Sequence, residues 1–111
     1  MAIHKHSRQV SSKLSSATFS DWLLCRGDVS LVASGTFSGT LSVQRLQEQF
    51  MDKATGIPKD SNKIITLTTT HTSPFAAKEL EPIGAYYRIG FTSYTSGTAD
   101  TTITYANNLG C

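Results

Sequence analysis

Two segments of this chain match each other, and both have the chemistry of paired strands. The first is Gly35-Thr-Phe-Ser-Gly-Thr-Leu-Ser-Val-Gln-Arg-Leu46, and the second runs from Tyr86 to Tyr105. In each, a Ser-Gly-Thr triplet (Ser38 to Thr40, Ser96 to Thr98) sits between runs rich in β-branched and aromatic residues. Glycine reaches positive φ without steric cost and the flanking residues suit a pleated surface, so each triplet predicts a hairpin turn. No clear helical period lies between the two segments. A chain organised this way folds into a small all-β sandwich.

The composition agrees. Only 39% of the residues are hydrophobic and 16% charged, and Ser and Thr supply about a quarter of the chain. Thr favours strands and Ser favours turns. The 111 residues make one domain, and a domain of this size buries only about two-thirds of its unfolded surface. Association with copies of itself or with a larger partner would add stability.

The strand candidates follow in order. Phe19 to Cys25 is the first, with Trp22, the only tryptophan, as a core or interface anchor. Arg26-Gly27-Asp28 reads as a tight turn rather than an integrin-type loop tip, because it joins two apolar runs. Val29 to Ser34 follows, with Val29, Leu31 and Ala33 on one face by the period of two. In Leu41 to Leu46, Leu41 and Val43 point inward together with Arg45, which calls for a carboxylate or carbonyl partner at a sheet edge. Residues 47–62 read as a polar loop with one helical turn around Glu48 to Lys53, and a loop of this length is a candidate contact surface. Lys63 to Thr70 is a strand with one threonine face, which is ordinary sheet chemistry or else a flat surface for a neighbouring subunit. Phe75 to Glu81, bounded by Pro74 and Pro82, reads as an edge strand. Tyr86 to Tyr94 and Thr101 to Tyr105 are expected as the last hairpin. Short strands separated by turn signals fit a two-sheet antiparallel sandwich, immunoglobulin-like or jelly-roll, over residues 18–111.

Residues 1–17 show neither period and are expected as an extended basic arm. The first twenty residues hold Lys5, Arg8 and Lys13 and no acid, whereas the remainder carries seven basic and eight acidic residues. The charge is therefore an arm rather than a face. No stretch of the chain has the ~20 apolar residues of a membrane helix and none reads as a signal peptide. Two cysteines are too few for a disulfide scaffold. Cys25 reads as a buried hydrophobe and Cys111 as exposed, and a bridge between them stays open because spacing alone does not fix the sulfur geometry.

Motifs for chemistry are weak. His4 and His6 have no third ligand nearby, since His71 is remote, so no metal or other cofactor is expected. No serine sits in a Gly-x-Ser-x-Gly elbow, and His71 has no Asp relay. Glu79 and Glu81 read as solubilisers at a loop edge rather than a glycosidase pair. No Gly-rich phosphate loop precedes a helix. No enzyme and no catalytic residues are expected. The tyrosines at strand spacing read as core and cross-strand pairs rather than base-stacking platforms, so no specific nucleic acid is expected. Asp28 is expected to form a structural ion pair with Arg45 or Arg88.

Asp21-Trp-Leu-Leu, Arg26-Gly-Asp28, the Ser34 to Arg45 segment and Tyr87-Arg-Ile-Gly-Phe-Thr-Ser-Tyr-Thr-Ser-Gly-Thr98 together resemble small β-sandwich structural proteins of tailed bacteriophage virions. In those, a Gly-x-x-x-Gly-Thr-Val-x-Leu-Gln-Arg hairpin precedes a Tyr-Arg-Leu-Gly strand and a Ser-Gly-Thr turn. The resemblance covers roughly residues 20–105. It departs after the Gln-Arg pair, where many relatives carry an Asp-Gly-Gly turn and a Trp and this chain has Leu46 to Phe50.

The resemblance implies a virion location and a non-enzymatic particle protein, most concretely a decoration or cement protein on the major capsid protein. The arm would pair Lys5, Arg8 and Lys13 with acidic shell surface and bury Ile3, Val10 and Leu14 in grooves. Trp22, Asp28, Arg45 and Arg88 would hold the sandwich, and a homo-oligomer is expected. A head-to-tail or tail component is the alternative. A host-surface carbohydrate-binding module would instead require Tyr86 or Tyr94 outside the core. A free nucleic-acid-binding regulator would require salt-sensitive binding.

Overall fold

The computed structural model describes residues 6–107. Alternating Val, Leu, Ile, Tyr and Thr keep the backbone extended over most of that length. The elements are β1 (His6–Leu14), β2 (Leu23–Gln47), β3 (Met51–Asp52), β4 (Ile57–Pro58), β5 (Ile65–His71) and β6 (Phe75–Asn107), with 3-10 turns at Glu48–Phe50 and Ser61–Lys63. There is no α-helix among the described residues. All pairings are antiparallel, in the order β1-β6-β2-β5, with β3 and β4 as a separate small ribbon.

β2 and β6 are long because they change partners along their length rather than turning back. Asp28 to Gln47 pair with Ala106 to Ala85 in one ribbon. The earlier parts of both strands pair as well: Gly27 to Ala33 with Glu81 to Phe75, and Leu23 to Cys25 with Tyr87 to Ala85. Residues 28–33 therefore lie between 75–81 and 101–106, and residues 85–87 lie between 23–25 and 45–47. β1 extends the first group by pairing with 99–107, and β5 extends the second by pairing with 41–45.

This arrangement corrects the expected hairpins. The two Ser-Gly-Thr triplets do not reverse the chain; they face each other, with Ser38 opposite Ser96 and Phe37 opposite Gly97. The register shifts beside them, between Ser38 and Gly39. Gly97 has φ +91°, and a Cβ there would collide with the Thr36 carbonyl oxygen. The glycine serves close approach of two strands within a ribbon, not a turn. Likewise Arg26-Gly27-Asp28 is no tight turn. Cys25 pairs with Ala85 and Gly27 with Glu81, so Arg26 alone faces the three residues 82–84 in a bulge. Pro82 sits in that bulge, where its missing N–H breaks no ladder. Residues 75–81 are an edge, as expected, but the chain stays extended beyond Pro82.

The stretch expected as an arm contributes a strand. β1 pairs with β6 from His6 opposite Asn107 to Leu14 opposite Ala99. Val10 packs against the core and Leu14 is inside it. The polar run around Ser7, Ser11 and Ser12 hid this strand, since only Val10 and Leu14 mark its apolar face.

The core is one cluster drawn from both groups. Leu14, Val29, Leu31, Ala33, Ala99 and Ile103 come from the first; Leu23, Cys25, Leu41, Val43, Ala85, Tyr87, Ile89 and Phe91 come from the second. The period of two places each set on one face of its strands. Phe91 meets Phe37 and Tyr94 edge to face, with ring centroids 5.5 and 5.0 Å away.

Candidate functional site

Three features stand out: a buried ion pair, an arginine stacked in a groove, and an uncharged sheet edge.

The 82–84 bulge explains the first. Glu81, 1% exposed, turns its carboxylate back into the bulge and accepts the Gly84 N–H at 3.2 Å. Arg45 Nε and Nη2 donate to it at 2.6 and 2.8 Å, and the Tyr87 hydroxyl donates at 2.9 Å. The hydrogen bonds from Arg45 hold the Glu81 carboxyl below the usual carboxylate range against the opposing effect of burial. A bidentate arginine and further donors satisfy the buried charge. The carboxylate partner expected for Arg45 is thus Glu81. Asp28 is exposed and pairs with neither arginine, which corrects the expected ion pair. Glu81 is no solubiliser, because the bulge turns it inward. Cys25 lies near it and is free; burial, and then the Glu81 charge, push the thiol up to about 12. Cys111 lies outside the described residues.

Arg88 belongs to the opposite face of its strand from Tyr87, by alternation. Residues 18–20 run along this strand, with Ser20 N–H on the Ile89 carbonyl at 2.7 Å and Phe91 N–H on the Thr18 carbonyl at 3.0 Å. Phe19 lies flat over Gly90, where any Cβ would collide with its ring. The Arg88 guanidinium carbon then sits 4.4 Å from the Phe19 centroid and 4.2 Å from that of Trp22. Its Nε donates to Gln44 Oε1 at 2.8 Å. Burial between the rings lowers its pKa, yet a guanidinium stays protonated. Among the described residues no carboxylate lies within ion-pair distance of it.

This stack forms one wall of a groove of about 770 Å³. Tyr86 and Leu24 line it too, as do Ile57 and Pro58 of the β3–β4 ribbon. Ile57 is 63% exposed. Lys53 also reaches the groove, but Glu48 holds it at 2.8 Å. Trp22 anchors this site rather than the core, and Tyr86 lies half-buried within it. Phe19 and Ile57 carried no motif. The readable signal was Arg88-x-Gly90, which puts a cation and a vacant spot on one face.

The third feature is β5, at the end of the sheet order. Its sequence, Ile-Thr-Leu-Thr-Thr-Thr-His, has no Pro, Lys, Arg or acid. Thr66, Thr68, Thr69 and Thr70 are exposed, and Ile65 is 55% exposed. The register against β2 shifts opposite Val43, which bows the strand without adding charge. His71 stacks on Phe75 with centroids 3.6 Å apart.

Of the expected arm contacts, Ile3 and Lys5 lie outside the described residues. Arg8 is on β1 opposite Tyr105, and Lys13 is exposed opposite Asp100. Val10 and Leu14 face the chain's own core, so they are not anchors for a neighbour's groove. Tyr94 packs on Phe91 and donates its hydroxyl to the Gly97 carbonyl at 2.9 Å. Among the described residues no group of three or more His, Cys, Asp or Glu is placed to hold a metal. The chain matches no family model, no curated protein and no solved structure.

Proposed function

We propose that this chain is a non-enzymatic structural subunit of a repeating assembly, which adds its sheet edge to a neighbour. The observation that carries this reading is β5. Edge strands of soluble proteins are guarded by charge, proline or cover, because their free N–H and C=O groups template pairing. Of the other outer segments, β1 has Arg8 and Lys13, residues 75–81 have Lys78 and Glu79, and residues 23–25 are guarded by being only three residues long. β5 alone among these edges has no such guard, which suits a strand with a partner in the assembled state.

The two strand groups form a two-layer sandwich in this reading. They share one core cluster, and the shortest dimension of 23 Å accommodates sheets about 10 Å apart with their outer side chains.

The most concrete form is a bacteriophage virion protein, a decoration or cement protein standing on the major shell protein. The resemblance of residues 20–105 favours it, and an assembly edge fits it. β1 belongs to the sandwich here, so the docking segment shrinks to the residues before it. Many weak contacts repeated on a symmetric shell suffice through avidity.

Counting this chain against the major shell protein in purified particles, by quantitative mass spectrometry, tests this form. A decoration protein gives on the order of hundreds of copies, whereas about three to twelve would move it to the portal–tail axis with its cyclic symmetry. No copies would overturn the virion form.

A further inference from the structure

We infer that the Arg88 groove receives a second copy of this chain, through a knob made by Asp28 and Leu80. The contact uses a different surface from β5 and stands whether or not β5 pairs.

The groove offers an unusual combination. The faces of the Arg88 guanidinium are covered by Phe19 and Trp22, and its Nε is held by Gln44. Its outer nitrogens make no hydrogen bond among the described residues and are not sealed from solvent. Beside this fixed fork lie the aliphatic Leu24 and Ile57. The matching ligand is a carboxylate set next to an aliphatic side chain. A nucleic acid would want a row of free cations. Here Lys53 is already engaged by Glu48.

The chain itself displays that ligand. Asp28 and Leu80 are directly opposed in the β2–β6 pairing, so their side chains leave the same face of the sheet. Opposed Cβ atoms lie about 5 Å apart. Leu80 is 70% exposed, and nearby Ile83 is 56% exposed. Asp28 is exposed and makes no ion pair among the described residues. The knob thus presents a free carboxylate beside an uncovered isobutyl group, and the groove a free guanidinium beside an uncovered isoleucine.

Knob and groove share no residue, so a two-fold pair makes the contact twice, and a contact that does not close this way builds rings or open chains.

The test uses the Thr68→Lys chain, in which β5 is guarded, followed by sedimentation velocity and by the fluorescence of Trp22, the only tryptophan. That chain should associate with rising concentration and shift its Trp22 emission as it does. Leu80→Asp removes the knob and Ile57→Asp spoils the groove. Both positions are exposed, so the fold is preserved. Each variant alone should be monomeric, while an equimolar mixture should form a 1:1 pair that grows no further, because only one knob and one groove remain intact. Asp28→Asn should weaken that pair at least tenfold. Monomeric behaviour of the Thr68→Lys chain up to millimolar concentration would overturn the inference and leave β5 pairing untouched. So would association of Leu80→Asp or Ile57→Asp like their parent, or a mixture that stays monomeric. A Trp22 shift on adding acidic oligosaccharide without any self-association would overturn it in favour of a carbohydrate site.

Discussion

Glu81 shows how one side chain ties local backbone to core. It holds the Gly84 amide, the Arg45 fork and the Tyr87 hydroxyl at once. Glu81→Gln leaves the Arg45 charge without its counter-ion in a largely buried site, so it should lower stability by about 3 kcal/mol. The pH dependence has a definite sign. The folded pKa lies below the ordinary carboxylate value, chiefly through the Arg45 hydrogen bonds. The contribution is therefore full above the unfolded value of about 4.3 and is lost as pH falls through the folded value. Thermal melts at pH 7 and in acid should show the wild type losing more stability than Glu81→Gln; equal losses would contradict this. The sequence announced that Arg45 needs a carboxylate or carbonyl partner, because a cation at an inward position must be paired. It did not say which one. Asp28 and Glu81 are equally charged on paper, and only the bulge at 82–84 turns one inward and leaves the other outside.

At the scale of elements, the legible part was strand content and the illegible part was direction. A glycine between strand-forming residues signals a hairpin when it stands alone. Here two such glycine-containing triplets face each other, and each lets the opposite backbone approach. That mutual arrangement is a property of pairing, which local chemistry does not carry. Gly97→Ala tests the assignment. It places a Cβ against the Thr36 carbonyl and holds alanine at φ +91°. It should cost about 2–3 kcal/mol, measured by urea unfolding, because the strain of the left-handed region and a ribbon clash act together. A neutral effect would mean the two strands are not in this register. β1 escaped the sequence reading for a different reason. Its buried face is marked only by Val10 and Leu14, and the serines between them read as linker.

For the molecule as a whole, composition and alternation were enough to read an antiparallel β protein and most of its core. Val29, Leu31, Ala33, Leu41 and Val43 all fall on the inner faces expected of them. The groove was not legible, because the Phe19–Trp22 segment, Ile57 and Arg88 come from three separate parts of the chain and meet only through the fold. The open edge was half legible: the threonine face of residues 63–70 suggested a surface for a neighbour, but only the sheet order shows that β5 is terminal. On the proposed function these features belong to a subunit surrounded by others, and sedimentation of the purified chain over a wide concentration range tests that most directly. The account predicts a weight-average mass that climbs above the 12.0 kDa of one chain as concentration rises, and a markedly smaller climb for Thr68→Lys. A wild-type chain that stays at 12.0 kDa up to millimolar concentration would contradict it.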